Sequence, residues 1–171
     1  MNREQRPDSN RGFSLVELLI VVIILAILAA IVVPQFADTT DDARASAIDS
    51  NVASMRSAIE VYRQQHGAYP SATAASGGTC PAGSTAGTGA AASQQAFMDQ
   101  LSLFTNVAGQ ACSGKDATYS LGPYLREVPV NPANGLPTVE IVTTGVLGLT
   151  PNGGHGWKFD NVTGELIADN N

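Results

Sequence analysis

The stretch Arg11-Gly12-Phe13-Ser14-Leu15-Val16-Glu17-Leu18-Leu19-Ile20-Val21-Val22 opens an apolar run that continues to Val33 with one charge, Glu17. From Phe13 to Val33 the run is 21 residues long. As a helix it would measure about 31 Å, enough to span a bilayer. A lone carboxylate inside such a segment is costly, and such residues usually have a function. A secretory signal peptide fits poorly. Its apolar core is shorter, roughly 7–15 residues, and a small-residue cleavage site follows it. No clean Ala-x-Ala site follows this run before the polar region. A plain single-pass anchor fits the length but leaves Arg11-Gly12 and Glu17 unexplained.

The flanks give an orientation. The leader carries Arg3, Arg6 and Arg11 against Glu4 and Asp8. Basic residues beside an apolar span favour the cytoplasmic side, which places Met1–Gly12 inside and Ala37 onward outside. The outer part is acidic, with six Lys/Arg and twelve Asp/Glu from Ala37 onward. The net charge of −6 argues against a nucleic-acid partner. Cys80 and Cys112 both lie outside, where an even count suggests one disulfide; two free thiols are the alternative. Neither is in a Cys-x-x-Cys motif and only His66 and His155 could join them, so a zinc site is not supported.

Residues Arg11 to Val22 resemble the cleavage and methylation segment of type IV pilins and type II secretion pseudopilins. The resemblance extends to about Pro34. It implies that a prepilin peptidase cuts between Gly12 and Phe13, that Phe13 becomes the N-methylated terminus, and that Glu17 is the assembly carboxylate. It also implies an α+β, pilin-like fold: a long N-terminal α-helix, its first half transmembrane, packed against a small antiparallel β-sheet. The expected organisation is a cleaved cytoplasmic leader at 1–12, a transmembrane and assembly helix at 13–36, and an extracytoplasmic globular domain at 37–171. Implied partners are other copies in a helical filament, the peptidase, an inner-membrane assembly platform with its ATPase, and minor pseudopilins. The implied place is the bacterial inner membrane, single-pass, with a periplasmic domain, and the filament after assembly.

Periodicity extends the helix. Ile48, Val52, Met55, Ile59 and Tyr62 are spaced by 4, 3, 4 and 3, which is one face of a helix. That helix should end near His66-Gly67, with Pro34 kinking it. His66 reads as a favourable last-turn residue. Ser71–Ser93, built mostly of Ala, Gly, Ser and Thr, reads as a variable surface loop tethered by the disulfide. Gln94–Thr105 reads as a short helix with Phe97, Leu101 and Phe104 on one face.

A sheet is expected within about 119–169. Gly122–Pro132 should be extended, and strands are expected at Thr138–Thr143 and Val146–Leu149. A hairpin, Gly156–Asp160 with Glu165–Ala168, should turn at Asn161-Val162-Thr163-Gly164. Trp157 and Phe159 should share the core face. Asn161-Val162-Thr163 is formally a glycosylation sequon, but reads better as turn chemistry.

The chain departs from major pseudopilins at its end, where that subfamily often has a calcium-binding loop. Asp160, Glu165 and Asp169 lack a calcium-loop spacing, so no cofactor is expected and calcium is a secondary reading. Isolated histidines and the lack of a phosphate-binding loop argue against an enzyme. A filament subunit is therefore expected, of a secretion pseudopilus first and a type IV pilus second. An anchored binding module that never polymerises is the third reading.

Overall fold

The computed structural model describes residues 14–170, without the side chains of residues 32–38. Gly12 and Phe13 lie outside the described residues, as does the side chain of Pro34, where a kink is expected. The chain divides into two units, Met1–Ala43 and Arg44–Asn171. Helix α1 runs Leu15–His66. It ends as its sequence dictates: Gly67 takes φ 73° and its N–H donates to the Arg63 carbonyl at 2.8 Å. A residue without Cβ enters that left-handed conformation at little cost.

In the second unit the expected stripe is the helix's buried face. Met55, Ile59 and Tyr62 are buried, and Ile48 and Val52 pack beside them. They meet Phe97, Leu101, Val139, Trp157, Phe159 and Leu166. Full burial of one such side chain stabilises by about 1.5–3 kcal/mol. Arg56 on an adjoining face ties the helix to the sheet, donating to the Leu166 carbonyl at 2.7 Å.

Helix α2 covers Gln94–Ser102. Ser93 caps it, its Oγ accepting from the Ala96 N–H at 3.1 Å, the standard way to satisfy an orphan donor. The helix stops three residues before the expected Thr105. Leu103 is extended, with φ −110° and ψ 172°, and Phe104–Thr105 becomes strand β1, paired antiparallel with β2 at Ala111–Cys112.

The main sheet has the order β3-β4-β5, with β3 at Val139–Val142, β4 at Trp157–Asp160 and β5 at Leu166–Ala168. The expected hairpin is present: β4 and β5 pair antiparallel, with Phe159 opposite Leu166. Trp157 and Phe159 are both fully buried. β3, by contrast, runs parallel to β4, so the sheet is mixed rather than wholly antiparallel. A parallel neighbour needs a crossover of a dozen or more residues, which the segment 143–156 supplies.

Val146–Leu149, expected as a strand, lies inside this crossover and joins no strand among the described residues. Gly145 and Gly148 adopt φ 68° and 94°, which breaks an extended run. Val146 and Leu147 are left exposed.

The disulfide joins Cys80 to Cys112, with Cα atoms 5.8 Å apart. The Ala/Gly/Ser/Thr segment it tethers is pinned along its length. Gly87 N–H donates to the Ala111 carbonyl at 2.8 Å, and Ala111 N–H to the Ala75 carbonyl at 2.8 Å. Asp99 Oδ2 accepts from the N–H groups of Thr88 and Gly89. Ser71 takes φ 67°, a strained choice for a residue with a Cβ. Four bonds hold it: its N–H donates to Gln100 Oε1, its Oγ to the Ser93 carbonyl, and its carbonyl accepts from Ala92 N–H and Asn161 Nδ2. In the chain-entropy model a loop of this size makes the disulfide worth about 3–4 kcal/mol. Replacing Cys80 and Cys112 by Ser should lower the unfolding free energy by that amount without abolishing folding, as measured by denaturant titration followed by circular dichroism.

Candidate functional site

The described apolar stretch of the first unit, Leu15 to Ile31, is exposed on every side. Leu18, Leu19, Ile20, Val21, Val22, Ile23 and Ile24 lie on successive faces and are all exposed. A helix apolar all round is normally covered by protein or lipid. Among the described residues no helix is long and apolar enough to cross a membrane; in the sequence the apolar run continues to Val33, into residues 32–38 whose side chains are not described.

Glu17 sits in the first turn of this helix. Ser14 N–H donates to Glu17 Oε2 at 3.2 Å, and Glu17 N–H donates to Ser14 Oγ at 3.2 Å. This reciprocal pair is a capping box, which satisfies two orphan donors of the helix end. The sequence carries this signal as Ser14-x-x-Glu17, the spacing of a capping box, alongside the lone charge. The cap leaves the carboxylate with spare acceptor positions, since an ionised carboxylate has about four. Glu17 can therefore hold its own helix end and still receive an amine.

The other candidate chemistry resolves into structural roles. His66 stacks on Tyr62, with ring centroids 3.9 Å apart, and its Nδ1 lies 3.0 Å from the Tyr62 carbonyl. Burial lowers its pKa, so it packs as a neutral ring rather than serving as a last-turn cation. Asn161 of the sequon is buried, and its Nδ2 donates to the Ser71 carbonyl at 3.0 Å. That nitrogen is the atom a glycan would need, so the turn reading stands. Gly164 closes the same turn at φ 80°, where a Cβ would run into the Tyr69 ring.

The three C-terminal carboxylates bind main-chain N–H groups. Asp160 Oδ1 accepts from Val162 and Thr163, and its Oδ2 from Gly145 and the Thr144 hydroxyl. Glu165 Oε2 accepts from Gly148 and Leu149. Asp169 accepts from Asn152, Gly153 and His155. A calcium loop needs carbonyl and carboxylate oxygens converging on the ion. Here positive N–H ends converge on carboxylates, so these residues do not fit the calcium site that the resemblance brings into question.

The same bonds set an acid limit. Burial raises the pKa of Asp160, but the bonds it accepts outweigh this and hold the group below the usual carboxylate range. For Asp169, burial again raises the pKa, and three N–H bonds and the Lys158 charge bring it down overall. A depressed folded pKa stabilises above the unfolded value, and that stability is lost as pH falls through the folded one. Stability should therefore be flat near neutrality and fall below about pH 4. Asp160→Asn and Asp169→Asn should each flatten that acid limb in pH-dependent unfolding and lower the neutral plateau. Separately, Ser14→Ala should cost about 1 kcal/mol of helix-end stability. Amide exchange at Glu17 in detergent should then run roughly fivefold faster.

Residues 8–33 match the family model described as the prokaryotic N-terminal methylation motif. The segment is an N-terminal methylation motif. Over 71 residues the chain is 40% identical to a type II secretion system core protein G of Pseudomonas aeruginosa, covering 42% of this chain and 47% of that protein. It is 35% identical over 65 residues to the core protein G of Klebsiella michiganensis, covering 38% and 46%. It is 43% identical over 60 residues to the type IV narrow pilus major component PilA5 of Thermus thermophilus, covering 35% and 52%. The chain thus spans about half the length of these curated relatives. No solved structure matches it.

The resemblance to pilins and pseudopilins is borne out by these relatives. With the methylation motif placed, Glu17 is described in its first helical turn, and Cys80 and Cys112 are bonded. The expected cleavage pair Gly12-Phe13 lies outside the described residues.

Proposed function

We propose that this protein is a structural subunit of a type II secretion pseudopilus, held in the inner membrane by its methylation segment and polymerised through it. The observation that carries the reading is the helical stretch Leu15–Ile31, apolar and exposed all round, lying within the residues 8–33 that match the methylation-motif model. Such a surface is stable in lipid as a monomer and in a helix bundle as a polymer. One segment can serve both states.

A prepilin peptidase would cut between Gly12 and Phe13 on the cytoplasmic side. The apolar run stays attached, so the processed chain stays in the membrane. The new amine at Phe13, then methylated, is a cation at the end of an apolar helix. Glu17 of a neighbouring subunit is its natural partner, because a buried carboxylate needs a positive charge. That pairing fixes the axial offset between subunits. The globular domain would face the periplasm. The remaining partners would be the assembly platform, its ATPase and minor pseudopilins, and the chain itself would perform no catalysis.

A type IV pilus is the second reading, favoured by the similarity to a pilus major component. Deletion of the gene should abolish export of secreted enzymes while leaving surface pili in place; the opposite pattern would select the pilus. Within either filament, Glu17→Ala should leave membrane insertion intact and abolish filaments recovered by shearing. Normal filament yield from that variant would contradict the role given to Glu17.

A further inference from the structure

Among the described residues, Glu140, His155 and Asp169 bring three metal-capable atoms within 4.8 Å of one another. The side chains around them decide what that cluster does. β3 and β4 run parallel with Glu140 in register with Lys158, so the two side chains stand beside each other on one sheet face. Lys158 Nζ lies 3.1 Å from Glu140 Oε2, both side chains being largely withdrawn from solvent. Asn152 Nδ2 donates to the same oxygen at 2.9 Å. Lys158 also acts on Asp169 through its charge.

We propose that the Lys158 ammonium is the built-in cation of this cluster, and that it holds the crossover 143–156 in place with no bound metal. Two observations favour the ammonium over an ion. The first is charge: Glu140 and Asp169 supply two negative charges, and Lys158 supplies a positive one seated 3.1 Å from Glu140 Oε2. The second is direction. Asp169 points its oxygens at the N–H groups of Asn152, Gly153 and His155, which take up three of its roughly four acceptor positions. Against this stands one atom, His155 Nδ1, which is buried without a partner. A single imidazole nitrogen does not outweigh a seated ammonium and three N–H donors.

The consequence extends along the crossover. Asn152 joins Glu140 on β3 to Asp169 after β5, and Glu165 and Asp160 pin Gly148 and Gly145. Lys158 neutralises the one place where two of these carboxylates would repel. Removing it should loosen the crossover rather than open a vacant binding site.

Thermal unfolding of the full chain in detergent tests this, followed by the fluorescence of Trp157, the chain's one tryptophan. The wild-type midpoint should be the same in EDTA, in millimolar calcium and in zinc. Lys158→Gln should lower the midpoint by roughly 3–6 °C, and Lys158→Arg should recover most of that loss. A midpoint lowered by EDTA or raised by calcium or zinc in the wild type would overturn the proposal. So would a Lys158→Gln midpoint equal to the wild type. If Lys158→Gln does not fold, the wild-type comparison decides alone.

Discussion

An apolar helix surface has to be covered, and Leu15–Ile31 is uncovered on every side. At about 25 cal/mol per Å² of apolar area, leaving such a helix in water is far costlier than any single contact in the globular unit is favourable. Lipid or other helices must take it up. The assembly role proposed for the chain follows from that demand together with one carboxylate. Glu17 is tolerated in the first turn because it closes a capping box with Ser14. It retains the lone pairs that a neighbour's amine could use.

The two parts of the chain are stabilised by different means. The first unit is built on the apolar part of α1 and its N-terminal cap. The second has a mixed core in which α1, α2 and three short strands meet around Trp157 and Phe159. Its strands are short, four residues at most, so pairing alone cannot hold them. Side-chain bonds to the main chain do much of that work: Asn131 and Asn134 at 129–136, Gln100 and Asp99 beneath the Ala/Gly/Ser/Thr segment, and Asp160, Glu165 and Asp169 along the crossover.

That division explains what could be read from the sequence. The stripe Ile48 to Tyr62 was legible because helix periodicity is local. The β4–β5 hairpin was legible because Asn161–Gly164 is local turn chemistry. The cysteine pairing was legible from count and compartment. The parallel pairing of β3 with β4 was not, because no local pattern specifies which strand a strand will join. Val146–Leu149 reads as a strand by composition, but Gly145, Gly148 and two distant carboxylates hold it as a loop. The order of residues 71–93 was also hidden. It depends on Gln100, Asp99 and Asn161, whose partners lie many residues away. In the functional segment, the role of Ser14 is legible in the local spacing Ser14-x-x-Glu17.

The central claim is that the leader is removed to turn a membrane-held helix into an assembly element. Mass spectrometry of the mature N-terminus, on protein isolated from membranes of the native host, tests it most directly. The account predicts a chain beginning at a methylated Phe13. A chain retaining Met1 through Gly12 would contradict it.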